Sequence, residues 1–471
     1  MDLKTALRLP ACPRLALVGA GGKTTALFHL ARQFAPPVLV TATTHLADEQ
    51  LKLADHHFFV ECPEDLTPLE ADLPPGVILL TGRGDGSGRS CGVGAGTLER
   101  IRTLAESRRL PLLIEADGSR QLPLKAPAPH EPPIPEFVDT VIVVAGLSAL
   151  GNPLAPERVH RPERFAAISG LSTGETITPD ALARVLTHPN GGLKNIPANA
   201  RRVALLNQAD TPEAQIQASA LAGLLLPTFD AIVIASLNPG GGQQPAAGDR
   251  QPAAGGLQSA VGSQHPAVGG RQSAVVYATH EPVAGIVLAA GEASRFKQPK
   301  QLLPWRGKPL VWHVAHAALE AGLSPVVGVS GAYTRELRPA LAGLPVRVLH
   351  NPRWEEGQGT SVGAGVREIP PRSGAAVFLL ADQPTIPVPL LLQLVETHAR
   401  ARSPIVAPFV KGQRANPVLF DRDVFADLIA LSGDIGGRKL FSKYPVFQVP
   451  WDDPALLLDV DTLEDYHRLV A

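Results

Sequence analysis

One stretch in the second half of the chain indicates its fold, and it reads Gly285-Ile-Val-Leu288-Ala-Ala-Gly291-Glu-Ala-Ser-Arg295-Phe-Lys-Gln-Pro-Lys300-Gln-Leu-Leu-Pro-Trp305. A short apolar strand runs into small residues, then into an arginine and, five residues later, a lysine. The backbone N–H groups of such a loop can approach a phosphate closely, and the two cations neutralise its charge. The pattern predicts a phosphate-binding loop, although an ordinary Ala/Gly turn with surface cations would look the same.

Short apolar runs alternate with helical patterns on both sides of this stretch, which predicts an α/β fold with mainly parallel sheets covered on both faces. Between the two halves lies a segment rich in Gly, Ala, Gln and Pro, in which phrases such as Gln251-Pro-Ala-Ala-Gly recur at near seven-residue spacing. Because Gly and Pro are poor helix-interior residues, the segment predicts a disordered linker and not a coiled coil. We therefore expect domains over 1–238 and 282–471, joined by a linker over 239–281.

Charge and cysteine content exclude several classes of protein. The 471 residues carry 43 Lys and Arg against 44 Asp and Glu, so no global field attracts nucleic acid or an anionic membrane. Three cysteines form neither a disulfide framework nor a C-x-x-C pattern, and the scattered histidines offer no zinc site. No apolar run reaches transmembrane length, and the first residues lack the apolar core of a signal peptide. The expected location is the cytoplasm.

The pattern L-A-A-G-x-x-S-R-F-x-x-x-K-Q-L-L-P-W over residues 288–305 resembles the signature of the molybdenum cofactor cytidylyltransferases, which are members of the NTP-transferase family. The resemblance continues over 378–384, 414–420, 432–438 and 458–466. It implies a Rossmann-like nucleotidyltransferase domain that transfers CMP from CTP to molybdopterin cofactor, releases pyrophosphate and uses Mg²⁺. Guanylyl-transferring relatives usually carry Leu-Ala-Gly-Gly at the loop, so Leu-Ala-Ala-Gly favours CTP over GTP.

The resemblance also assigns roles to single residues. The implied catalytic residues are Arg295, Lys300 and Asp382, and Asp382 would also hold the metal, because a carboxylate at a strand end can bind Mg²⁺ against phosphate oxygens. Asp461 is the implied second metal contact, with Asp459 as the alternative two residues away. The implied nucleotide-binding residues are Leu288, Ala289, Ala290, Gly291, Ser294, Gly359, Thr360 and Ser361, and the implied substrate-binding residues are Arg414, Asn416, Gly433, Asp434 and Arg438.

Each of these assignments has a structural alternative. A lone Asp at a strand end is often a helix N-cap or a turn residue, and Thr360 or Ser361 can cap a helix. Asn416-Pro417 is an ordinary turn signal, and the glycines around Asp434 are typical of a surface loop.

The first half of the chain has its own phosphate-loop pattern. The run Leu15–Val18 predicts a strand, and it leads into Gly19-Ala-Gly-Gly-Lys23-Thr-Thr25 and an apolar-periodic helix. This order places phosphate at a helix N-terminus, with Lys23 on phosphate and Thr24 on Mg²⁺. Leu17 stands where the full G-x-x-x-x-G-K-[ST] motif has its first glycine, so the loop is a variant form. The predicted P-loop-like site comprises Gly19, Gly21, Gly22, Lys23, Thr24 and Thr25, with ATP or GTP as the possible ligand.

Two strand ends extend this prediction. Glu115 and Asp117 follow the run Leu112–Ile114, and Asp117 is the candidate metal ligand. Asn207-Gln-Ala-Asp210 resembles the N-K-x-D element by which GTPases read guanine, although a helix cap gives the same residues.

Together, residues 19–25, 41–45, 115–120, 125–127 and 130–132 resemble the selenium-dependent hydroxylase accessory protein family. That resemblance implies a role in the maturation of a molybdenum hydroxylase, which would be the protein partner. We therefore expect a maturation enzyme with a fused nucleotide-binding accessory domain. The alternatives are a nucleotide-switched insertion factor or chaperone that binds finished cofactor, and a transferase that uses GTP or another phosphate acceptor.

Overall fold

The computed structural model describes residues 1–84, 86, 88–239, 274–292, 299–460 and 462–470. The chain forms two compact units, Met1–Tyr277 and Ala278–Ala471. Both are built from parallel sheets and helices, which confirms the expected α/β class. Most of the predicted linker lies outside the described residues, as do the predicted site residues Ser294, Arg295 and Asp461. The last part of the predicted linker differs from expectation, because Val275–His280 is a strand.

Unit 1 is organised around a nine-stranded sheet in the order β13-β12-β11-β9-β1-β7-β2-β5-β4, and the eight strands from β12 to β4 run parallel. Two further pairs, β3 with β6 and β8 with β10, lie outside it. The strands are β1 (Arg14–Gly19), β2 (Val38–Ala42), β3 (Leu46–Ala47), β4 (His56–Phe59), β5 (Val77–Thr81), β6 (Arg89–Ser90), β7 (Leu112–Glu115), β8 (Leu124–Lys125), β9 (Thr140–Gly146), β10 (Val159–His160), β11 (Arg201–Asn207), β12 (Ala231–Ser236) and β13 (Val275–His280).

Helices cover this sheet, and several of its strands are buried along their whole length and mostly apolar because both faces are covered. On β1, Leu15 and Leu17 join one core cluster together with Ala26 and Leu30 of α2. Val18 lines a small apolar space together with side chains of α7. The helices are α1 (Leu3–Ala6), α2 (Lys23–Ala31), α3 (Asp48–Leu51), α4 (Thr67–Ala71), α5 (Ala95–Arg108), α6 (Pro162–Ser169), α7 (Pro179–Thr187) and α8 (Pro212–Leu225).

Unit 2 contains an eight-stranded mixed sheet in the order β18-β17-β14-β19-β22-β20-β21, with β23 paired to β20. Strands β18, β17, β14 and β19 run parallel, and β22 runs antiparallel to both of its neighbours. The strands are β14 (Val283–Ala289), β15 (Pro304–Trp305), β16 (Lys308–Pro309), β17 (Val326–Ser330), β18 (Val346–His350), β19 (Ala375–Leu380), β20 (Ile405–Val410), β21 (Gln413–Arg414), β22 (Val418–Asp421) and β23 (Val446–Pro450).

The central strand β14 shows how unit 2 buries both faces of its sheet. Val283 and Val287 join one core cluster with side chains of α9 and α12, whereas Ala284 and Ile286 join a second cluster with side chains of α11 and α13. This alternation follows from the two-residue period of a strand. The helices are α9 (Leu310–Glu320), α10 (Thr334–Ala340), α11 (Gln358–Glu368), α12 (Val388–Ala401), α13 (Phe425–Ile429) and α14 (Leu463–Val470).

Neither described half of the chain contains a helix that is long and apolar enough to cross a membrane.

Candidate functional site

The loop after β14 opens onto a cavity of roughly 430 Å³ at the carboxyl edge of the parallel strands. Leu288 of β14 pairs with Leu380 of β19, and both lie in the cavity wall. Open α/β sheets bind ligands at this edge, in the crevice where the connections from two neighbouring strands lead away to opposite sides. We call this space the first cavity. Its lining includes Leu288, Ala289, Ala290, Gly291, Lys300, Ser361, Asp382 and Asp434 from the predicted site, together with Glu292, Gln301, Trp354, Glu355, Gly357, Gln358, Leu380 and Ala381.

Lys300 and Asp382 form an ion pair in the wall of the first cavity, with Lys300 Nζ 2.5 Å from Asp382 Oδ2. Lys300 begins a short 3₁₀ helix, whereas Asp382 follows the end of β19. Both side chains are partly exposed, at 23% and 17%, so each can reach a ligand in the cavity. The pair places one cation and one carboxylate side by side, and such a pair can bind phosphate and a hard metal ion.

The surroundings of Asp382 fit a magnesium ion held mainly by phosphate. Gln383 donates a hydrogen bond from Nε2 to Asp459 Oδ1, and its own Oε1 is buried with no hydrogen-bond partner among the described residues. The N–H of Val460 donates to the backbone oxygen of Asp382 over 3.4 Å, which brings the segment carrying Asp459 close. Mg²⁺ typically takes one or two carboxylates plus phosphate oxygens and water. Within the described ranges no three acidic, His or Cys side chains group into a metal site.

The start of α11 gives different roles to the three residues predicted there. Asn351 Nδ2 donates to Thr360 Oγ1 over 2.9 Å and to Ser361 Oγ over 3.0 Å, and Thr360 donates to the backbone oxygen of Arg353 over 2.7 Å. Thr360 therefore joins the loop to the helix. Ser361 lines the first cavity, whereas Gly359 donates its N–H to the oxygen of Gly433 over 2.9 Å.

A second cavity of roughly 390 Å³ adjoins the first and shares part of its wall. Four of the five predicted substrate residues line it, namely Arg414, Asn416, Asp434 and Arg438. The fifth, Gly433, is not in the lining, and its N–H donates to the oxygen of Glu356 over 3.1 Å. The remaining lining is Leu288, Gln358, Val362, Phe378, Leu380, Val418, Phe420, Ile435, Gly436, Gly437 and Phe441.

The second cavity combines positive charge with aromatic rings. The Arg414 guanidinium lies 4.0 Å from the ring centroid of Phe441, and the rings of Phe378 and Phe420 meet edge to face. Burial lowers the pKa of Arg414, and the positive charge of Arg438 lowers it further. An anion bound between the two arginines would relieve that repulsion. The cavity therefore has the chemistry to bind an anionic group attached to a planar, partly apolar body.

In unit 1 the glycine loop joins β1 to α2 in a conformation that requires glycine. Gly21 has a φ of +83°, and a Cβ there would lie 2.4 Å from the backbone nitrogen of Gly146. Gly22 has a φ of +119° and immediately precedes α2. Asn207 Nδ2 donates to the oxygen of Gly21 over 2.6 Å, so the end of β11 fixes the loop.

Four charged side chains meet behind this loop, and all are nearly completely buried. Lys23 Nζ donates to the oxygen of Gly19 over 2.8 Å and lies 3.2 Å from Asp117 Oδ1, while Lys125 Nζ lies 2.7 Å from Asp117 Oδ2. Glu115 accepts a hydrogen bond from the Thr24 hydroxyl over 2.8 Å. Burial raises the pKa of Glu115. Asp117 also accepts from the Gly19 N–H over 3.0 Å, so its carboxylate lies where donors of the loop converge.

A third carboxylate extends the cluster. The carboxylate of Glu131 accepts hydrogen bonds from Lys125 Nζ over 3.0 Å and from both terminal nitrogens of Arg161 over 2.8 Å. Burial alone would raise the pKa of Glu131, but the Arg161 hydrogen bonds and the charge of Lys125 lower it to about 2. Glu131 is therefore ionised at neutral pH, and it links Arg161, next to α6, to the lysine behind the loop.

The residues of the predicted base-reading element, Asn207, Gln208 and Asp210, each make hydrogen bonds within the fold. Asn207 holds the glycine loop, and its Oδ1 accepts from the N–H of Leu237 over 3.0 Å. Gln208 has a φ of +68° and accepts from the Ser148 hydroxyl over 2.7 Å. Asp210 accepts from the hydroxyl of Ser236 at the end of the adjacent strand.

Comparison with known proteins assigns both units to families. The model of the YqeC protein family matches residues 15–163, and that of the MobA-like NTP transferase domain matches residues 285–448. The protein YqeC of Escherichia coli (strain K12) is 37% identical over 212 residues, which cover 44% of this chain and 80% of that protein. The nicotine blue oxidoreductase of Paenarthrobacter nicotinovorans is 32% identical over 198 residues, which cover 40% of this chain and 96% of that protein.

The chain belongs to the YqeC family in its first half and to the MobA-like NTP transferase family in its second. This confirms both resemblances drawn from the sequence. Among solved structures, that of Rv0371c from Mycobacterium tuberculosis H37Rv is 29% identical, with a TM-score of 0.37, and the match covers 40% of this chain and 97% of that one.

The MobA-like domain brings most of its predicted residues to two adjoining cavities, whereas Gly359, Thr360 and Gly433 are not in their lining and make hydrogen bonds to neighbouring loop residues. Sequence reasoning missed the aromatic wall of the second cavity. Phe378 and Phe420 both lie in stretches that carry the family resemblance, but the antiparallel pairing of β19 with β22 that brings them to one cavity is seen only in the structure. In the YqeC domain it missed that Lys125, named only within the stretch 125–127 of the resemblance, pairs directly with the candidate metal ligand Asp117.

Proposed function

We propose that the MobA-like domain transfers CMP from CTP to molybdopterin cofactor and releases pyrophosphate. One observation carries the proposal: the Lys300–Asp382 pair lies in a cavity that adjoins a second cavity with two arginines and an aromatic wall. The first cavity would take the nucleotide and the second the acceptor. The NTP-transferase family membership supports a nucleoside triphosphate as one substrate.

The proposed reaction needs alignment and charge neutralisation by this chain. An oxygen of the acceptor phosphate forms a bond to the α-phosphorus, the bond from that phosphorus to the β-phosphate oxygen breaks, and pyrophosphate leaves with the electron pair. Lys300 binds the phosphates of the nucleotide, and Arg414 and Arg438 bind the acceptor phosphate. Asp382 would hold Mg²⁺, with Asp459 or Asp461 near it; the ion neutralises the triphosphate when bound. Arg295 would add a second cation.

The preference for CTP over GTP rests on the loop Leu288-Ala-Ala-Gly291, whose residues line the first cavity. Ala290 is the position where guanylyl-transferring relatives usually have glycine, so its methyl group narrows the space beside the nucleotide. The test is a comparison of pyrophosphate release by the full chain with CTP and with GTP, each with Mg²⁺ and molybdopterin cofactor. Release with CTP alone supports the proposal, and release with GTP alone overturns the cytidylyl assignment.

We also infer that the YqeC domain binds a nucleoside triphosphate through Gly19–Thr25 and Mg²⁺ through Thr24 and Asp117. Lys23 would exchange Asp117 for phosphate, and Lys125 would keep Asp117 paired when it does so. The fused domains would then serve the maturation of one molybdenum hydroxylase. Binding of ATP or GTP by the full chain, and its loss in a Lys23 variant, tests this part.

A further inference from the structure

Two cavities of unit 2 meet along a wall with four shared residues, Leu288, Gln358, Leu380 and Asp434. Two of these are leucines at strand ends. The shared polar groups are therefore the carboxamide of Gln358 and the carboxylate of Asp434. If the two cavities hold the two substrates of the proposed transfer, their reacting phosphates meet at this wall.

The position of Gln358 is built by close backbone contacts. Gln358 is the first residue of α11, and Gly357 before it has a φ of +104°. A Cβ on Gly357 would lie 2.3 Å from the carbonyl carbon of Gly433, and a Cβ on Gly359 would lie 2.8 Å from the nitrogen of Ser432. Only glycine allows the loop and the helix to approach this closely.

Two backbone hydrogen bonds join the start of α11 to the loop that carries Gly433. The N–H of Gly359 donates to Gly433, and the N–H of Gly433 donates to Glu356. Gly359, which follows Gln358, and Glu356, two positions before it, are therefore both bonded to Gly433, the residue that precedes Asp434. This arrangement fixes the backbone of both polar wall residues relative to each other.

A further glycine, Gly436, leaves space for the side chain of Gln358. A Cβ on Gly436 would lie 2.9 Å from Gln358 Oε1, so any larger residue there would displace the carboxamide. Within the part of the chain that the structure describes, no hydrogen bond to that carboxamide occurs, and the side chain is exposed to the cavities. The carboxamide is thus carried on a fixed backbone at the shared wall and is available to a ligand in either cavity.

The charge of the two wall residues decides which one suits phosphate. The carboxylate of Asp434 repels phosphate, whereas the NH₂ group of Gln358 donates two hydrogen bonds and carries no charge. Lys300 lies on the first cavity, and Arg414 and Arg438 lie on the second. A neutral donor between these cations can contact both phosphates. It adds no charge to the binding of either substrate.

We propose that Gln358 contacts both substrates across the shared wall and aligns the acceptor phosphate with the α-phosphorus of the nucleotide. This inference rests on the nucleotidyl transfer proposed above. Misalignment by about 1 Å lowers a rate by about 100-fold, so the carboxamide acts mainly on kcat. The bond changes remain those of the transfer itself, and Gln358 neither gains nor loses a proton.

The test uses the full chain with Gln358→Ala and Gln358→Glu, and with Gln393→Ala as the matched control on the exposed face of α12. We measure kcat and both KM values for pyrophosphate release with CTP, Mg²⁺ and molybdopterin cofactor, and CTP binding alone by calorimetry. The expected result is a kcat lowered about 10- to 100-fold in Gln358→Ala, with CTP affinity within about twofold of the wild type. Gln358→Glu should be slower still, because it adds a negative charge.

The outcomes separate this inference from the proposed function. An active wild-type chain with an unchanged kcat in Gln358→Ala overturns the role of Gln358 and leaves the transfer intact. Weaker CTP binding with an unchanged kcat assigns Gln358 to ground-state binding and also overturns it. A wild-type chain that releases no pyrophosphate overturns the proposed function and this inference together.

Discussion

Lys300 and Asp382 meet at 2.5 Å in the wall of the first cavity although 82 positions separate them in the sequence. Lys300 comes from the loop after β14 and Asp382 from the end of β19, and these strands are parallel neighbours. The sheet therefore brings together the two residues for which the sequence predicts phosphate and metal binding. We expect each of them to exchange its partner for a ligand during turnover.

Removal of either member of this pair should abolish most of the transfer. We expect Lys300→Ala and Asp382→Ala each to lower turnover about 100- to 1,000-fold, because each deletes a charge that stabilises the transition state. Pyrophosphate release measures the effect, and circular dichroism checks the fold. The matched controls Lys308→Ala and Asp452→Ala alter exposed residues of the same unit. Full turnover in a folded Lys300 or Asp382 variant would contradict the assignment.

The two arginines of the second cavity should act on the acceptor and not on the nucleotide. We expect Arg414→Ala to weaken acceptor binding about 10- to 100-fold, since a hydrogen bond to a charged group contributes about 1.5–3 kcal/mol. The KM for CTP should stay the same. Arg372→Ala removes an exposed arginine elsewhere in unit 2 and serves as the control. If Arg414→Ala raised the KM for CTP alone, the assignment of the two cavities would be reversed.

The buried lysine of the YqeC domain provides a test of its phosphate site. We expect Lys23→Met to weaken triphosphate binding by this domain at least about tenfold, because the charge–phosphate contact is lost while the buried volume is kept. Pyrophosphate release by the MobA-like domain should be unaffected. Calorimetry with ATP and GTP measures the binding, and Lys52→Ala is the exposed control in unit 1. Equal binding by Lys23→Met and the wild type would exclude the glycine loop as the site.

Glu131 makes the stability of unit 1 depend on pH in a defined direction. Its pKa is lowered from 4.5 to about 2, so the folded state favours the ionised form. The stabilisation is complete above pH 4.5, where the carboxyl is ionised in both states, and is lost as the pH falls towards 2. At pH 7 it amounts to about 3 kcal/mol.

Urea unfolding of Glu131→Gln and the wild type checks this dependence. The wild type should be the more stable at pH 7, and the difference should shrink as the pH falls from 4.5. Glu136→Gln changes an exposed carboxylate close in the sequence and should have little effect. A difference that stays constant from pH 7 to pH 3 would show that the Glu131 charge is not what stabilises the cluster.

The sequence predicts those features that depend on local pattern. The apolar runs predicted as strands form β1, β7, β14 and β19. Each strand is buried on both faces, and such burial requires a nearly continuous apolar stretch, which the sequence shows directly. The loops that follow β1 and β14 carry small residues and cations, and that composition already indicates phosphate binding.

The features that escape prediction depend on how separate elements of the chain are placed in the fold. Nothing near Asp117 in the sequence shows that Lys125 pairs with it, because the return of β8 towards the loop is a property of the fold. Gly357 and Gly433 are individually ordinary loop glycines. Their close approach, which fixes the wall between the two cavities, appears only when α11 and the later loop are placed together.

The most direct test of the central claim is pyrophosphate release by the full chain, measured with Mg²⁺ and molybdopterin cofactor and with either CTP or GTP. Our account predicts release that requires both the cofactor and CTP and that is lost in Lys300→Ala. Absence of release with either nucleotide, from a chain that still binds the cofactor, would contradict it and favour a nucleotide-switched insertion factor.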